Sequence, residues 1–166
     1  MFYRVHQFTQ AFFPHIDSSE IKWARDNLST KAYSLFLKQS RSEQRHALDV
    51  AQSIMTYKQA LSSSDFRNLL TAALLHDCGK STVFIRLWHR VFIVLIQKMP
   101  KPIWSRLEAS HTVFALPLKI STQHATWGEN LARTAGLNSE ICLLIREHHT
   151  PKTELGRILE KADNAH

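Results

Sequence analysis

Five histidines and two aspartates stand where an apolar core would be expected: His46, the pair His76-Asp77, His124, the doublet His148-His149, and Asp163. Burying such a set without partners costs several kcal/mol, because each polar group gives up its water. Neutral imidazoles and ionised carboxylates shed that penalty by holding a metal ion, and histidine is the commonest metal ligand. A lone histidine on a helix is ordinarily a hydrogen-bonded core or surface residue, and a His-Asp pair is common by chance. The chemistry is suggested by the set, in its order along the chain.

These side chains need helices to carry them. Asp17-Ser18-Ser19-Glu20 reads as a helix start running to about Asn27, and a second helix follows from Ser29 to about Lys38. Ser40-Arg41-Ser42-Glu43 opens another, in which His46, Val50, Ile54 and Tyr57 recur about once per turn and put His46 on the inward stripe. Ser62 to Asp65 caps the helix that leads through Leu69, Leu70, Ala73 and Leu74 to His76-Asp77, and Gly79 is the expected stop. Residues 82–98 read as an apolar helix with a basic edge, broken by Pro100 and Pro102. A helix from Thr122 carries His124, Trp127 and Leu131 and stops at Gly136. Asn138-Ser139-Glu140 starts the helix ending at His148-His149. The last, from about Thr153, aligns Leu155, Ile158, Leu159, Ala162 and Asp163. No alternating strand pattern competes, and with only 4 glycines and 5 prolines the chain is expected to be all-α.

His76-Asp77-Cys78-Gly79-Lys80, led in by Ala72-Ala73-Leu74-Leu75, resembles the His-Asp-x-Gly-Lys signature of the HD superfamily of metal-dependent phosphohydrolases. His46 before it, His124-Ala-Thr-Trp-Gly128 and His148-His149 after it, and Asp163-Asn164 at the end follow the family order, so the resemblance covers about residues 43–166. It implies a compact helical bundle over residues 41–166 with a helical N-terminal extension over 1–40. His124 and the doublet resemble the binuclear branch, which includes the HD-GYP phosphodiesterases. The resemblance then implies two divalent transition metals per chain (Fe, Mn, Ni, Co or Zn). One would be held by His46, His76, Asp77 and Asp163, the other by His124, His148 and His149, with Asp77 bridging. A hydroxide shared by the metals would attack phosphorus, with Asp77 orienting it and Lys80 reaching a substrate phosphate.

The chain departs from that branch after the doublet, where Thr150-Pro151-Lys152-Thr153 replaces Gly-Tyr-Pro and only 13 residues separate His149 from Asp163. A phosphomonoester or phosphodiester of the nucleotide or cyclic-dinucleotide class is the implied substrate, with a smaller ester equally open. Two readings stand beside hydrolysis: an HD-type diiron oxygenase, and a non-catalytic signalling or scaffold domain.

The formal net charge is +7, and residues 83–119 hold six basic side chains (Arg86, Arg90, Lys98, Lys101, Arg106, Lys119) against Glu108 alone. This basic and aromatic stretch, 83–120, is expected as packing helices, or as a surface for a protein partner or an anionic membrane. No nucleic-acid recognition motif accompanies the charge, so sequence-specific binding to nucleic acid is not expected. Phe2, Val5, Phe8, Phe12 and Phe13 are expected to pack on this domain or on a second copy in a homodimer. The longest apolar run, Val91 to Ile96, is too short to span a bilayer, which takes about 20 residues. With no signal-peptide pattern and two cysteines in no metal or disulfide spacing, the chain is expected in the cytoplasm.

Overall fold

Short polar side chains set where the helices begin. Ser40 Oγ accepts from the Glu43 amide, and the Glu43 carboxylate accepts from the Ser40 amide at 3.0 Å, a capping box. Ser29, Ser62, Asn138 and Thr153 each accept from the amide three residues on. At Asp17 the amide donates to the Glu20 carboxylate at 2.9 Å.

The structure, a computed structural model, describes residues 14–82, 100–110, 112 and 115–166. Among them are eight α-helices and no strand: α1 (Ser18–Asn27), α2 (Thr30–Lys38), α3 (Arg41–Ile54), α4 (Ser63–Leu75), α5 (Lys101–Glu108), α6 (Ala115–Thr134), α7 (Ser139–Glu147) and α8 (Glu154–Asp163). A 3-10 turn follows α3 at Met55–Tyr57, and another, Cys78–Thr82, follows α4. The expected all-α architecture is the observed one. No helix among the described residues is long and apolar enough to cross a membrane.

Helix α4 is the centre of the bundle. Its Leu69, Leu74 and Leu75 are fully buried among Phe36 of α2, Ile54 of α3, Leu144 and Ile145 of α7 and Leu159 of α8. Ala24 of α1, Leu28 just after it and Ala32 of α2 belong to the same core, so the first two described helices pack on the bundle. Arg45 of α3 fastens α1 from outside, donating to Glu20 at 2.7 Å and to Asp49 at 2.7 Å.

Three local expectations are corrected. The helix carrying His124 begins at Ala115 rather than Thr122. Pro117 lies in its first turn, where amides have no intrahelical acceptor, so a proline there is compatible with helix. Pro102 likewise starts a helix, at the second position of α5, rather than only ending one. Gly79 is not a left-handed helix stop: α4 ends at Leu75, and Gly136 is the one glycine with positive φ, 74°, among the described residues. At Gly136 the expected stop is present. The Leu137 amide donates to Ala132 O at 3.0 Å and the Gly136 amide to Arg133 O at 2.9 Å, a Schellman closure. The expected helix over 82–98 falls almost wholly outside the described residues, as do Phe2, Val5, Phe8, Phe12 and Phe13. Arg106 and Lys119, at the far side of that basic stretch, are exposed.

Candidate metal centre

Each of the seven predicted ligands stands at or near the end of a helix, or on the face of one turned inward. His46 is on α3, His76 and Asp77 follow the last turn of α4, and His124 is inside α6. His148 and His149 follow the last turn of α7, and Asp163 closes α8. The structure brings all seven together. The donor atoms of His124, His148 and His149 lie within 4.8 Å of one another, and so do those of His46, His76 and Asp163.

Asp77 stands between the two groups. Its Oδ1 is 3.4 Å from His124 Nε2 and 3.9 Å from His148 Nε2, while its Oδ2 is 3.7 Å from His76 Nε2. In the other group Asp163 Oδ1 is 2.8 Å from His46 Nε2 and 3.5 Å from His76 Nε2. Lys80, read from the sequence as a contact to substrate phosphate, donates to Asp77 Oδ2 at 2.6 Å.

The backbone fixes the tautomers of three rings. Nδ1 of His76, His124 and His148 lies 2.8, 2.9 and 2.7 Å from the carbonyls of Ala73, Ile120 and Ile145. A carbonyl only accepts, so each Nδ1 carries the proton and each neutral ring turns an Nε2 lone pair inward. His124 Nε2 and His148 Nε2 then face each other at 3.3 Å, and His149 Nε2 is 3.0 Å from His124 Nε2. His76 Nε2 is buried with no hydrogen-bond partner. Facing lone pairs repel unless a cation lies among them.

A proton is a poor candidate for that cation in the His124 group. Burial, with Lys80 next in effect, pushes the His124 pKa down to about 4, and burial together with His76 pushes His148 down to about 3. Burial also lowers His149. A metal fits better: two nitrogens about 2.1 Å from one ion, at roughly 90–105° to each other, stand about 3.0–3.3 Å apart. In the other group, burial opposes the ionised forms of both carboxylates but is outweighed. Lys80 and His76 hold Asp77 well below the usual carboxylate range, and the hydrogen bond with His46, together with the nearby His76 ring, lowers Asp163. Burial opposes a charge on His76, but the Asp77 and Asp163 carboxylates prevail and raise its pKa. The donor set, orphaned lone pairs beside anionic oxygens, suits divalent metals.

Sequence reasoning missed what holds this arrangement together. A Cβ on Gly79 would stand 1.9 Å from His124 O and 2.6 Å from Gly128 N. The turn after Asp77 therefore lies directly on the backbone of α6, and this contact sets Asp77 against His124. Gly128, one turn beyond His124 on the same face, receives it, with Gly79 N 3.3 Å from where its own Cβ would be. A glycine four residues after a candidate ligand, inside a 20-residue helix, was the available signal. Two buried amides were also missed. Gln39 Nε2 donates to Leu74 O at 2.9 Å, satisfying a carbonyl at the end of α4, and Gln44 Nε2 donates to Gln39 O at 3.0 Å. Cys78, fully buried beside Asp77, has its thiol pushed up to about 12 by burial and then by Asp77, so it stays protonated.

Comparison with curated proteins and with solved structures returns no match. Comparison with protein families returns the HD domain over residues 44–166, a span that holds all seven clustered side chains and Lys80. With most of its length inside that match, the chain belongs to the HD-domain family.

Proposed function

We propose that the chain is a metal-dependent phosphohydrolase of the binuclear HD type, cleaving a phosphomonoester or phosphodiester of the nucleotide or cyclic-dinucleotide class. The observation that carries this reading is the pair of donor groups with a single carboxylate, Asp77, between them. His46, His76 and Asp163 would hold one divalent transition metal, and His124, His148 and His149 the other, with one Asp77 oxygen turned to each. The mixed nitrogen and oxygen donors suit Fe, Mn, Ni, Co or Zn. Bound there, such a metal pair supplies water activation near neutral pH and neutralises charge on the phosphoryl oxygens.

The protein's own part is preorganisation. Backbone carbonyls lock three rings with Nε2 inward, so little reordering is needed when ligands bind. Asp77 stays ionised and acts as the common anion of both groups. Lys80, His46 and His149 are less buried than His76, His124 and His148, so the centre meets solvent past these three side chains. Lys80 is there a point charge for a phosphoryl oxygen. Helix α8 starts at Glu154, five residues after His149, so no further element intervenes between the doublet and Asp163. That supports small phosphate esters as substrates alongside cyclic dinucleotides. In this reading residues 41–166 are the metal-binding domain and residues 1–40 an N-terminal extension, whose described helices α1 and α2 pack on its core.

The test uses bis(4-nitrophenyl) phosphate and 4-nitrophenyl phosphate with protein loaded in turn with Mn, Fe(II), Ni, Co and Zn. Release of nitrophenolate that stops with a chelator and returns with metal is the expected result. Loading without turnover of either ester would leave a metal-binding module. An oxygen-dependent optical change in the iron-loaded protein alone would transfer the site to oxygenase chemistry.

A further inference from the structure

The cation nearest the shared carboxylate belongs to the protein itself. Lys80 lies in the turn Cys78–Thr82, which is closed by its own hydrogen bonds. The Lys80 amide donates to Asp77 O at 2.9 Å, Ser81 Oγ to Cys78 O at 2.6 Å and Thr82 Oγ1 to Gly79 O at 2.8 Å. With Gly79 pressed on α6, the base of the Lys80 side chain is fixed, and its freedom lies in the four-carbon stem. The ammonium reaches back to Asp77 Oδ2 at 2.6 Å. The same oxygen faces His76 Nε2 at 3.7 Å, and His76 is a donor of the His46/His76/Asp163 group.

We propose that Lys80 regulates metal loading as a built-in competing cation, its ammonium and the metal of the His46/His76/Asp163 group claiming the same oxygen of Asp77. This rests on the metal-centre reading above. Two cations on one carboxylate oxygen repel strongly where water is scarce. A divalent ion that takes Oδ2 therefore displaces the ammonium, which swings toward solvent; the Lys80 side chain is already 29% exposed, against 6% for Asp77. Coupling of this kind is reciprocal. Metal entry frees Lys80 to meet an anionic ligand, and an anion that draws Lys80 outward favours metal entry. Lys80 is here a positioning residue that ties metal loading to anion binding.

The experiment is a competition titration of Mn²⁺, repeated with Zn²⁺, against a chromophoric chelator, using wild type, Lys80→Met, Lys80→Gln and Lys80→Arg. A charge-assisted hydrogen bond of this kind is among the stronger single contacts a carboxylate makes. Its removal should tighten binding of the displaced-site metal on the order of tenfold or more in the Met and Gln variants. Lys80→Gln keeps a donor for Asp77 and covers the case in which Lys80→Met does not fold. Lys80→Arg keeps the charge and should stay near wild type. Unchanged or weaker binding in the Met and Gln variants, with wild type binding normally, overturns the competition alone. Failure of wild type to bind either metal overturns this proposal and the metal-centre reading together.

Discussion

Replacing Asp77 with Asn is expected to reduce hydrolysis by at least about a thousandfold while leaving the helical content unchanged. The substitution keeps the side-chain shape and removes the one anion that both donor groups share. His124 and His148 would face it at 3.4 and 3.9 Å without its charge, and so would His76 at 3.7 Å. A neutral amide is a poor donor to a divalent metal, so metal content should fall with activity. Lys80, partly exposed, can turn to water when its partner is neutral, so the fold itself should not collapse. The measurements are steady-state rates, metal content and circular dichroism on one preparation. Retained activity in Asp77→Asn would mean that a contaminating phosphatase, or a different site, does the hydrolysis.

The second large effect is structural. Gly79→Ala places a methyl 1.9 Å from His124 O and 2.6 Å from Gly128 N, both backbone atoms of α6 that cannot turn aside. The turn must lift from the helix, undoing the contact that sets Asp77 against His124. We expect destabilisation of about 3–5 kcal/mol, in the range of severe overpacking. For a chain of this size that is a fall of roughly 6–20 °C in Tm. Gly128→Ala meets chiefly Ile145 Cγ2, a side-chain atom at 3.0 Å that can shift, and should lose only about 1 kcal/mol. Gly136→Ala, at φ 74°, should also lose about 1 kcal/mol, through backbone strain rather than contact. Thermal melts of the three variants test the order. Equal Tm values for Gly79→Ala and Gly128→Ala would show that the turn does not rest on α6 as described.

These positions also mark how far the sequence could be read. The helix starts at Ser40, Ser62 and Asn138 were legible because a cap is a local event, a hydroxyl or amide within reach of an amide three residues on. The clustered histidines and aspartates were legible from type and order, since imidazoles on apolar stripes need a shared explanation. Gly79 was misread because its reason is non-local. Nothing within a few residues of it reveals that α6 passes against the turn. The helix expected from Thr122 begins seven residues earlier, at Ala115, which no Ser, Thr, Asp or Asn cap immediately precedes to mark the start. Gln39 gave no signal at all, its acceptor Leu74 O being 35 residues away. Lys80 was seen as a cation for phosphate, but its contact with Asp77 depends on how the turn folds back.

The two-metal arrangement is tested most directly by elemental analysis of the purified, metal-loaded protein beside His124→Ala and His148→Ala. About two metals per chain in wild type, falling towards one in both variants, is the predicted result, because those substitutions strip one donor group and leave His46, His76, Asp77 and Asp163 intact. One metal per chain that neither substitution alters, or no metal under any loading condition, would contradict it.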